Sequence, residues 1–502
     1  MRFAPLLALT LAGCPEGIEE PLSEGETLAD AITQDALMDH LGALQDIADA
    51  NDGNRMFLSG GYDSSVDYIV TALEDAGYTV RIEPFEISAF TVNGARVTDI
   101  TAGSVDIPAT VFQFSGSGDV SADITPVDVV IPPGGSNNTT DSGCETSDFD
   151  GFPVGNIALI QRGTCTFTTK AANAQAAGAS AVLIFNEGQQ GRRDAVEGQL
   201  DAGVINIPVM GLSYGSGRDL IDAGAASARV QVDAEVQVDE DVNLFASTEG
   251  DPQRAILVGA HLDGVQAGAG INDNGSGSAF LLELALQMAQ GDIAPANQVQ
   301  FAWWGAEEEG LLGSAAYFFD DFGERNDANL DGVDAYLNFD MLASGNGVRM
   351  IYDGDASDFN DGVDNDGSAL IEDLFEAHFA ERGLQTGSEA LLIPSDSYWP
   401  AILGMPTGGL FSGAFGVKTN AEEDAVGGDD GVAYDPCYHL RCDTLDNTNP
   451  QLFTELAKAG ADVIEQLAQR EEPFPAGGRR RAVPAQQFAK PRGCHDHAAW
   501  DR

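Results

Sequence analysis

The chain has 502 residues, 43% of them hydrophobic, and a formal net charge of −56 at pH 7. That length implies two or three units, and the apolar and glycine content fits a globular α/β protein rather than a disordered chain. So acidic a surface, like that of exported or salt-adapted proteins, repels phosphate backbones; it excludes nucleic acid as a partner and favours divalent cations.

In chain order, the first fourteen residues, MRFAPLLALTLAGC, open on a positive Arg2 and an apolar stretch from Leu6 to Leu11. Leu11-Ala12-Gly13-Cys14 resembles a bacterial lipobox, in which Cys14 would carry a lipid anchor to a membrane; an ordinary secretory signal peptide is the plainer alternative. Either way the chain is expected to be exported, as a cell-envelope lipoprotein or a secreted protein. Residues 15–28 are polar and acidic, as a tether would be. No later segment is long and apolar enough to span a bilayer.

Residues 29–102 read as helix, helix, strand. Val66, Ile69, Val70 and Leu73 recur at helical spacing until Gly77 ends the helix, and Tyr78 to Ile87 alternates as a strand does. From 103 to 237 the texture changes to short β-like runs separated by Gly, Pro, Ser and Asp. Ile157–Gln161 and Ala181–Phe185 are strands, Lys170–Ala177 is an alanine-rich helix, and a further small piece begins at Ile207. This stretch reads as an inserted, β-rich domain.

The α/β pattern resumes over 238–470. Ala255–Ala260 is a continuous apolar run, expected of a strand buried on both faces. Phe280–Met288 is a mostly apolar helix, Gln298–Trp304 and Ala335–Phe339 are further strands, and residues 450–470 form an amphipathic closing helix. The tail over 471–502, rich in Pro, Gly and Arg, is expected to lack packed structure, its His495-Asp496-His497 included. With Cys14 set aside, Cys437 and Cys442 are near in sequence and Cys144 and Cys165 flank a strand. Two disulfides in an oxidising compartment are a fair expectation, with connectivity open and Cys494 left over.

Five metal-ligand candidates fall at strand ends or in glycine-rich loops: His261, Asp273, Glu308, Asp340 and His439. His261 follows the buried run, where α/β proteins place ligands, and Asp263 points the same way as a possible acceptor for the imidazole. Asp273 lies in Asn272-Asp273-Asn274-Gly275-Ser276-Gly277; taken alone this is a turn capping a helix. Glu307-Glu308-Glu309 follows a very apolar strand, an unusual place for a surface acidic run. If Glu308 binds metal, Glu307 stays free to move protons. His439 sits between Cys437 and Cys442, beside Tyr438, a candidate donor to an oxyanion. His40 and His378 lie on expected helices and read as surface or core residues. Two imidazoles and three carboxylates suit a pair of zinc ions, and with a neighbouring glutamate they point to metal-assisted hydrolysis.

Taken in series, GAHLDG, NDNGSG, WWGAEEEGLLGS, LNFDM, and GGLFSG followed by YDPCYH resemble, in order and spacing, the co-catalytic zinc aminopeptidase family. They look closest to its secreted leucine aminopeptidase branch called aminopeptidase S. The resemblance covers residues 30–100 and 240–468. NIALIQRGTCTF, AANAQAAGASAVLIFN and IPVMGLS resemble the protease-associated domain often inserted in such proteins. The resemblance implies a zinc-exopeptidase-like mixed sheet flanked by helices. It implies two zinc ions per chain bridged by Asp273, with Glu308 and His439 on one, and His261 and Asp340 on the other. It further implies Glu307 as general base and then acid toward a metal-bound hydroxide, Tyr438 at the tetrahedral intermediate, and peptides with an apolar, Leu-like first residue as substrates. Met341 and Phe411 are candidate pocket residues.

Where many relatives read Ser-Asp-His, this chain has Ser395-Asp396-Ser397, so no contact from that histidine is expected. Asp364, Asp366, Gly367 and Asp373 have partial calcium-loop spacing, but the first position falls on Gly362, and a solvated acidic loop is the better reading than a Ca2+ site. Asp327-x-Asn329-x-Asp331-Gly332 is similarly incomplete. A related carboxypeptidase or glutaminyl cyclase and a non-catalytic, receptor-like binding protein are the rival readings; oligomeric state is not legible.

Overall fold

The computed structural model describes residues 26–475 except 102, 135–139, 190, 202, 225, 292, 321–323 and 360–364. The expected signal segment with Cys14, most of the tether, and Cys494, His495 and His497 lie outside the described residues. The chain divides into two units, one from residues up to Phe85 and from Asp241 onward, the other Glu86–Glu240. Among the described residues no helix is long and apolar enough to cross a membrane.

The larger unit is built on a mixed sheet. Its strands are β1 (the part of Ser227–Ser247 from Asp241 on), β2 (Asp251–His261), β3 (Asn297–Trp304), β4 (Val333–Phe339), β5 (Met350–Tyr352), β6 (Gly387–Glu389) and β7 (Thr407–Phe411), in the spatial order β6-β5-β7-β4-β2-β3-β1. β2 runs parallel to both β3 and β4, and β4 parallel to β7; β1 and β5 join antiparallel. The uniformly apolar Ala255–Ala260 run is explained by this central place. Ile256, Val258 and Ala260 pack with the helices Gln34–Ala50, Gly60–Asp75, Gly277–Gln290 and Pro450–Ala468, while Leu257 packs on the opposite face with Phe245, Trp304, Tyr317 and Tyr336. The consecutive Trp303 and Trp304 are divided between the faces in the same way, as a strand's alternation requires.

Because the chain adds β3 on one side of β2 and β4 on the other, a crevice opens at the C-terminal ends of these strands, the usual ligand position in open α/β sheets. The helix expected to end at Gly77 runs Gly60–Asp75, and Gly77 takes φ +95°, a conformation open chiefly to glycine.

The smaller unit has the parallel strands Gly118–Val127, Ile157–Gln161, Ala181–Phe185 and Val209–Leu212, edged by the antiparallel Ala109–Val111. Helices Phe167–Ala176 and Tyr214–Asp222 pack on two apolar clusters. It begins at Glu86, earlier than the expected 103. The strand Arg81–Asp99 continues well past Ile87 and pairs with Val105–Ile107, and its alternating polar residues gave no sign of that length. Cys144–Cys165 is closed here and Cys437–Cys442 in the larger unit, with Cα–Cα distances of 5.8 and 5.2 Å.

Two expected edges move. Leu28, placed in the tether, begins a helix and is fully buried. At the other end, packed structure extends beyond 470: Arg254 donates to the carbonyls of Glu471 and Glu472, and Phe474 packs against the main core.

Candidate metal centre

All five candidate ligands converge in the larger unit. His261 is the last residue of β2, and Asp340 directly follows β4. Glu308 lies just beyond β3, Asp273 in an irregular turn before the helix Gly277–Gln290, and His439 in the loop closed by Cys437–Cys442. Two triads form: His261, Asp273 and Asp340, and Asp273, Glu308 and His439. Asp273 belongs to both, with Oδ1 3.2 Å from His261 Nε2 and Oδ2 3.0 Å from His439 Nε2. Asp340 Oδ1 is 3.3 Å from His261 Nε2, and Glu308 Oε2 is 3.0 Å from His439 Nε2.

These contacts do not close the polar groups on one another. His261 Nε2, Asp340 Oδ1 and both Glu308 carboxylate oxygens are buried without a hydrogen-bond partner, although oppositely charged atoms lie within reach. The atoms converge on shared points rather than pointing along donor–acceptor lines. Donors bonded at about 2.0–2.2 Å to one tetrahedral zinc stand roughly 3.3 Å apart, close to the spacings found here. The donor set therefore fits two divalent cations with Asp273 between them.

The backbone aims these side chains. Ala306, Met341 and His439 all have positive φ, at 51°, 50° and 57°. For residues with a Cβ this conformation costs about 1–2 kcal/mol each, and the three flank or form the centre. Asp263 carries more than was expected of it. His261 Nδ1 lies 3.1 Å from the Asp263 carbonyl, so that carbonyl, rather than the carboxylate, accepts the imidazole N–H and leaves Nε2 facing the cation position. The Asp263 carboxylate instead accepts the backbone N–H groups of Glu307 and Glu308, at 3.0 and 3.3 Å.

Several further residues hold the ligands, and sequence reasoning assigned them no such role. Asp443 accepts the N–H groups of Asn272 and Asp273, at 2.8 and 3.1 Å. Ser395 donates to Asp340 Oδ2 at 2.7 Å, and Oδ1 is left without a hydrogen-bond partner. Arg55, fully buried, donates to the carbonyls of Leu262, Ala269 and Gly270 and pins the loop between His261 and Asp273. Asp443 and Ser395 stand within or beside strings already singled out; Arg55 carries no local signal.

Burial dominates the electrostatics. It pushes the Glu307 carboxyl well above its ordinary range, with His261 opposing and Asp396, Glu308 and Asp340 adding to the rise. Burial likewise raises Glu308 to about 7 and Asp396 to about 7. For His439 burial works against charge, but Asp273 and Glu308 outweigh it and hold the ring up to about 10. Asp273 runs the other way: burial would raise it, but its contacts with His261 and His439 hold it below the ordinary range, so the centre sets one low carboxylate among three raised ones, short of positive charge.

A pocket of about 380 Å³ opens on the centre. Asp273, Glu307, Asp340 and His439 form its polar end, and Met341, Leu392, Ile393, Phe411 and Phe415 its apolar wall. Met341 and Phe411 thus lie where they were expected. Tyr438 lines the same pocket and stacks on His439, ring centroids 3.8 Å apart. Of the partial calcium loop, Gly362 and Asp364 lie outside the described residues, while Asp366 and Asp373 belong to the helix Asp366–Glu381. Asp353, Asp355 and Glu372 do cluster. Their carboxylates are engaged by backbone N–H groups, Asp353 by Ser357, Asp358 and Phe359, and Glu372 by Gly354 and Asp355. His40 bonds Tyr68 and Glu283, and His378 bonds Asp462, as structural histidines do.

Several known proteins resemble this chain over most of its length. Residues 243–464 match the family described as Peptidase family M28, and residues 126–220 the PA domain. An aminopeptidase of Pseudomonas aeruginosa is 43% identical over 85% of this chain and 80% of its own length. A Mycobacterium tuberculosis protein named "Probable lipoprotein aminopeptidase LpqL" is 37% identical over 84% of this chain and 82% of its own length. Leucine aminopeptidase 2 of Arthroderma otae is 33% identical over 96% and 94%. Among solved structures, the aminopeptidase from Aneurinibacillus sp. strain AM-1 shares the fold with a TM-score of 0.63, at 24% identity over 90% of this chain and 98% of that one.

Proposed function

Because the chain belongs to peptidase family M28 and carries a PA domain in its smaller unit, we propose that it is an exported zinc aminopeptidase removing the first residue of peptides. The observation that carries this reading is the pair of donor triads sharing Asp273 at the mouth of an apolar pocket. His261 and Asp340 would hold one zinc and Glu308 and His439 the other. Zinc bound there would acidify a water and polarise the scissile carbonyl.

The chain's own groups supply the rest. Glu307 lines the pocket, and its Oε2 lies 3.9 Å from His261 Nε2, near the cation positions without joining either triad. It takes a proton from the attacking water and returns it to the leaving amine. Tyr438, held against the His439 ring, donates to the oxygen on which charge develops. Acidic groups near the zinc ions hold the free α-amine, and the apolar wall takes the first side chain. Among the described residues, no Lys or Arg lines the pocket to hold a substrate carboxylate, which separates this site from a carboxypeptidase's. The second donor triad likewise separates it from a cyclase working with one zinc. The lipoprotein name of the 37%-identical relative and the two disulfides support export.

The test is hydrolysis of aminoacyl anilides by the purified protein with and without a chelator, alongside N-terminally blocked peptides. Free-amine substrates should be cleaved and blocked ones spared, with activity lost to chelator and restored by zinc. Cleavage of blocked peptides alone would replace the aminopeptidase reading with a carboxypeptidase one.

A further inference from the structure

Beyond the centre's own acids, the pocket has one more acidic residue in its wall. Glu389, the last residue of β6, lines it together with Leu392, Phe411, Phe415 and Tyr434. Its Oε1 accepts the N–H of Ala390, and among the described residues no Lys, Arg or His pairs with it. A carboxylate set in an apolar wall is costly unless something cationic reaches it. No basic side chain of the pocket does so, whereas a cationic group of the substrate can.

Position decides which part of a substrate it meets. β6 stands three strands from β4, whose end carries Asp340. Three inter-strand steps of about 4.8 Å place it roughly 14 Å away. That gap separates backbones: an α-amine held beside the two donor triads stays short of Glu389, whereas the end of a long side chain directed along the pocket approaches the carboxyl of Glu389 that lines it. The apolar wall between suits a methylene stem, the arrangement in which lysine buries its carbons and leaves its ammonium to a polar partner. Tyr434, whose hydroxyl donates to Glu422 at 2.8 Å, adds an aromatic face to the same wall.

We propose that Glu389 is a specificity-determining residue that admits a cationic first side chain, that of lysine above all, to a pocket otherwise fitted to leucine-like residues. This rests on the aminopeptidase reading and sharpens it. The substrate class becomes peptides whose first residue is either aliphatic or a long-chain cation, a pairing that an apolar pocket alone would not accept. Aspartyl and glutamyl peptides are rejected by the same carboxylate.

The discriminating pair is lysyl and norleucyl anilide, which differ only in the terminal ammonium, assayed with the zinc-loaded full chain and its Glu389→Gln variant. The ratio of kcat/KM for lysyl over norleucyl should fall about ten- to a hundredfold in the variant, the scale of a charge-assisted contact. A ratio within about twofold of wild type would overturn the proposal, since a residue that holds the α-amine or merely shapes the pocket affects both substrates alike. Wild-type protein that cleaves norleucyl but not lysyl anilide would overturn it with the aminopeptidase reading intact. Failure to cleave either would remove both. Glu389→Leu guards against a polar-packing artefact, because it must lower the ratio in the same direction.

Discussion

In the smaller unit the fully buried Lys170 donates to the carbonyl of Ser142 at 2.5 Å and lies 3.5 Å from Cys144 Sγ, and the fully buried Glu187 takes Arg192 at 2.6 Å. In the larger unit the buried His261, Glu308 and Asp340 stand in the two donor triads and still leave atoms without a partner. Both sets are buried; what differs is whether the polar valences are closed. A buried unpaired polar atom costs about 1–3 kcal/mol, and more when charged, so several of them in one shell would consume much of a domain's roughly 5–15 kcal/mol of stability. A bound cation offsets that cost. Closed buried charge therefore reads as architecture, and open buried charge as a place for a ligand.

The strongest way to break this comparison is to remove the shared residue. Asp273→Ala takes a donor from both triads at once, and bound zinc should fall to about one ion per chain or fewer, with turnover lost. Metal analysis after gel filtration reads it. Full zinc content in that variant would separate the two triads and end the bridged arrangement.

Glu307→Gln sharpens the contrast from the other side. Glu307 belongs to neither triad, so zinc content should stay at the wild-type level while kcat falls about 10²- to 10⁴-fold. Near-normal turnover would take Glu307 out of the proton path.

Asp443→Asn tests the layer behind the ligands. Its carboxylate takes two successive N–H groups, one on each oxygen, and an amide keeps only one of those two acceptors. Zinc affinity should drop about 10- to 100-fold, measured by competition with a chromogenic chelator, while saturating zinc restores most of kcat. An affinity unchanged from wild type would make Asp443 a bystander.

These three residues also show what the sequence could and could not reveal. Of the candidate ligands, His261, Glu308 and Asp340 were legible because they stand at or just beyond the ends of strands that are themselves conspicuous: a continuous apolar run must be a central strand, and polar residues at its C-terminal end fall in the crevice. Ile157–Gln161 and Ala181–Phe185 were legible to the residue for the same reason, being wholly buried strands with polar or glycine-containing flanks. Arg55 was not, because its meaning lies in carbonyls 207–215 positions away, and a carbonyl carries no letter in the sequence. The extent of Arg81–Asp99 was hidden because exposed alternation in a strand looks like loop composition. Glu389 was hidden because β6 has only three residues, too few for any period.

The smallest expected effect lies in the smaller unit. Lys170→Met removes a closed charge, so the leucyl anilide rate should stay within about twofold of wild type while stability changes. The sign follows from the lysine's own titration. Burial lowers its pKa from 10.5 to about 8 in the folded chain, with Glu187, Asp141 and Asp148 opposing the fall. Between those two values the unfolded chain holds the proton and the folded chain has released it, so wild-type stability rises with pH across that window. The gain attributable to this one group amounts to about 3 kcal/mol at most. Urea unfolding of both proteins from pH 7 to 10.5 isolates it as a difference in slope. Equal slopes would show that Lys170 stays protonated through the window, held by the Ser142 carbonyl more firmly than its burial implies, and closed charge would then be a stronger stabilising device in this chain than the comparison of the two units grants.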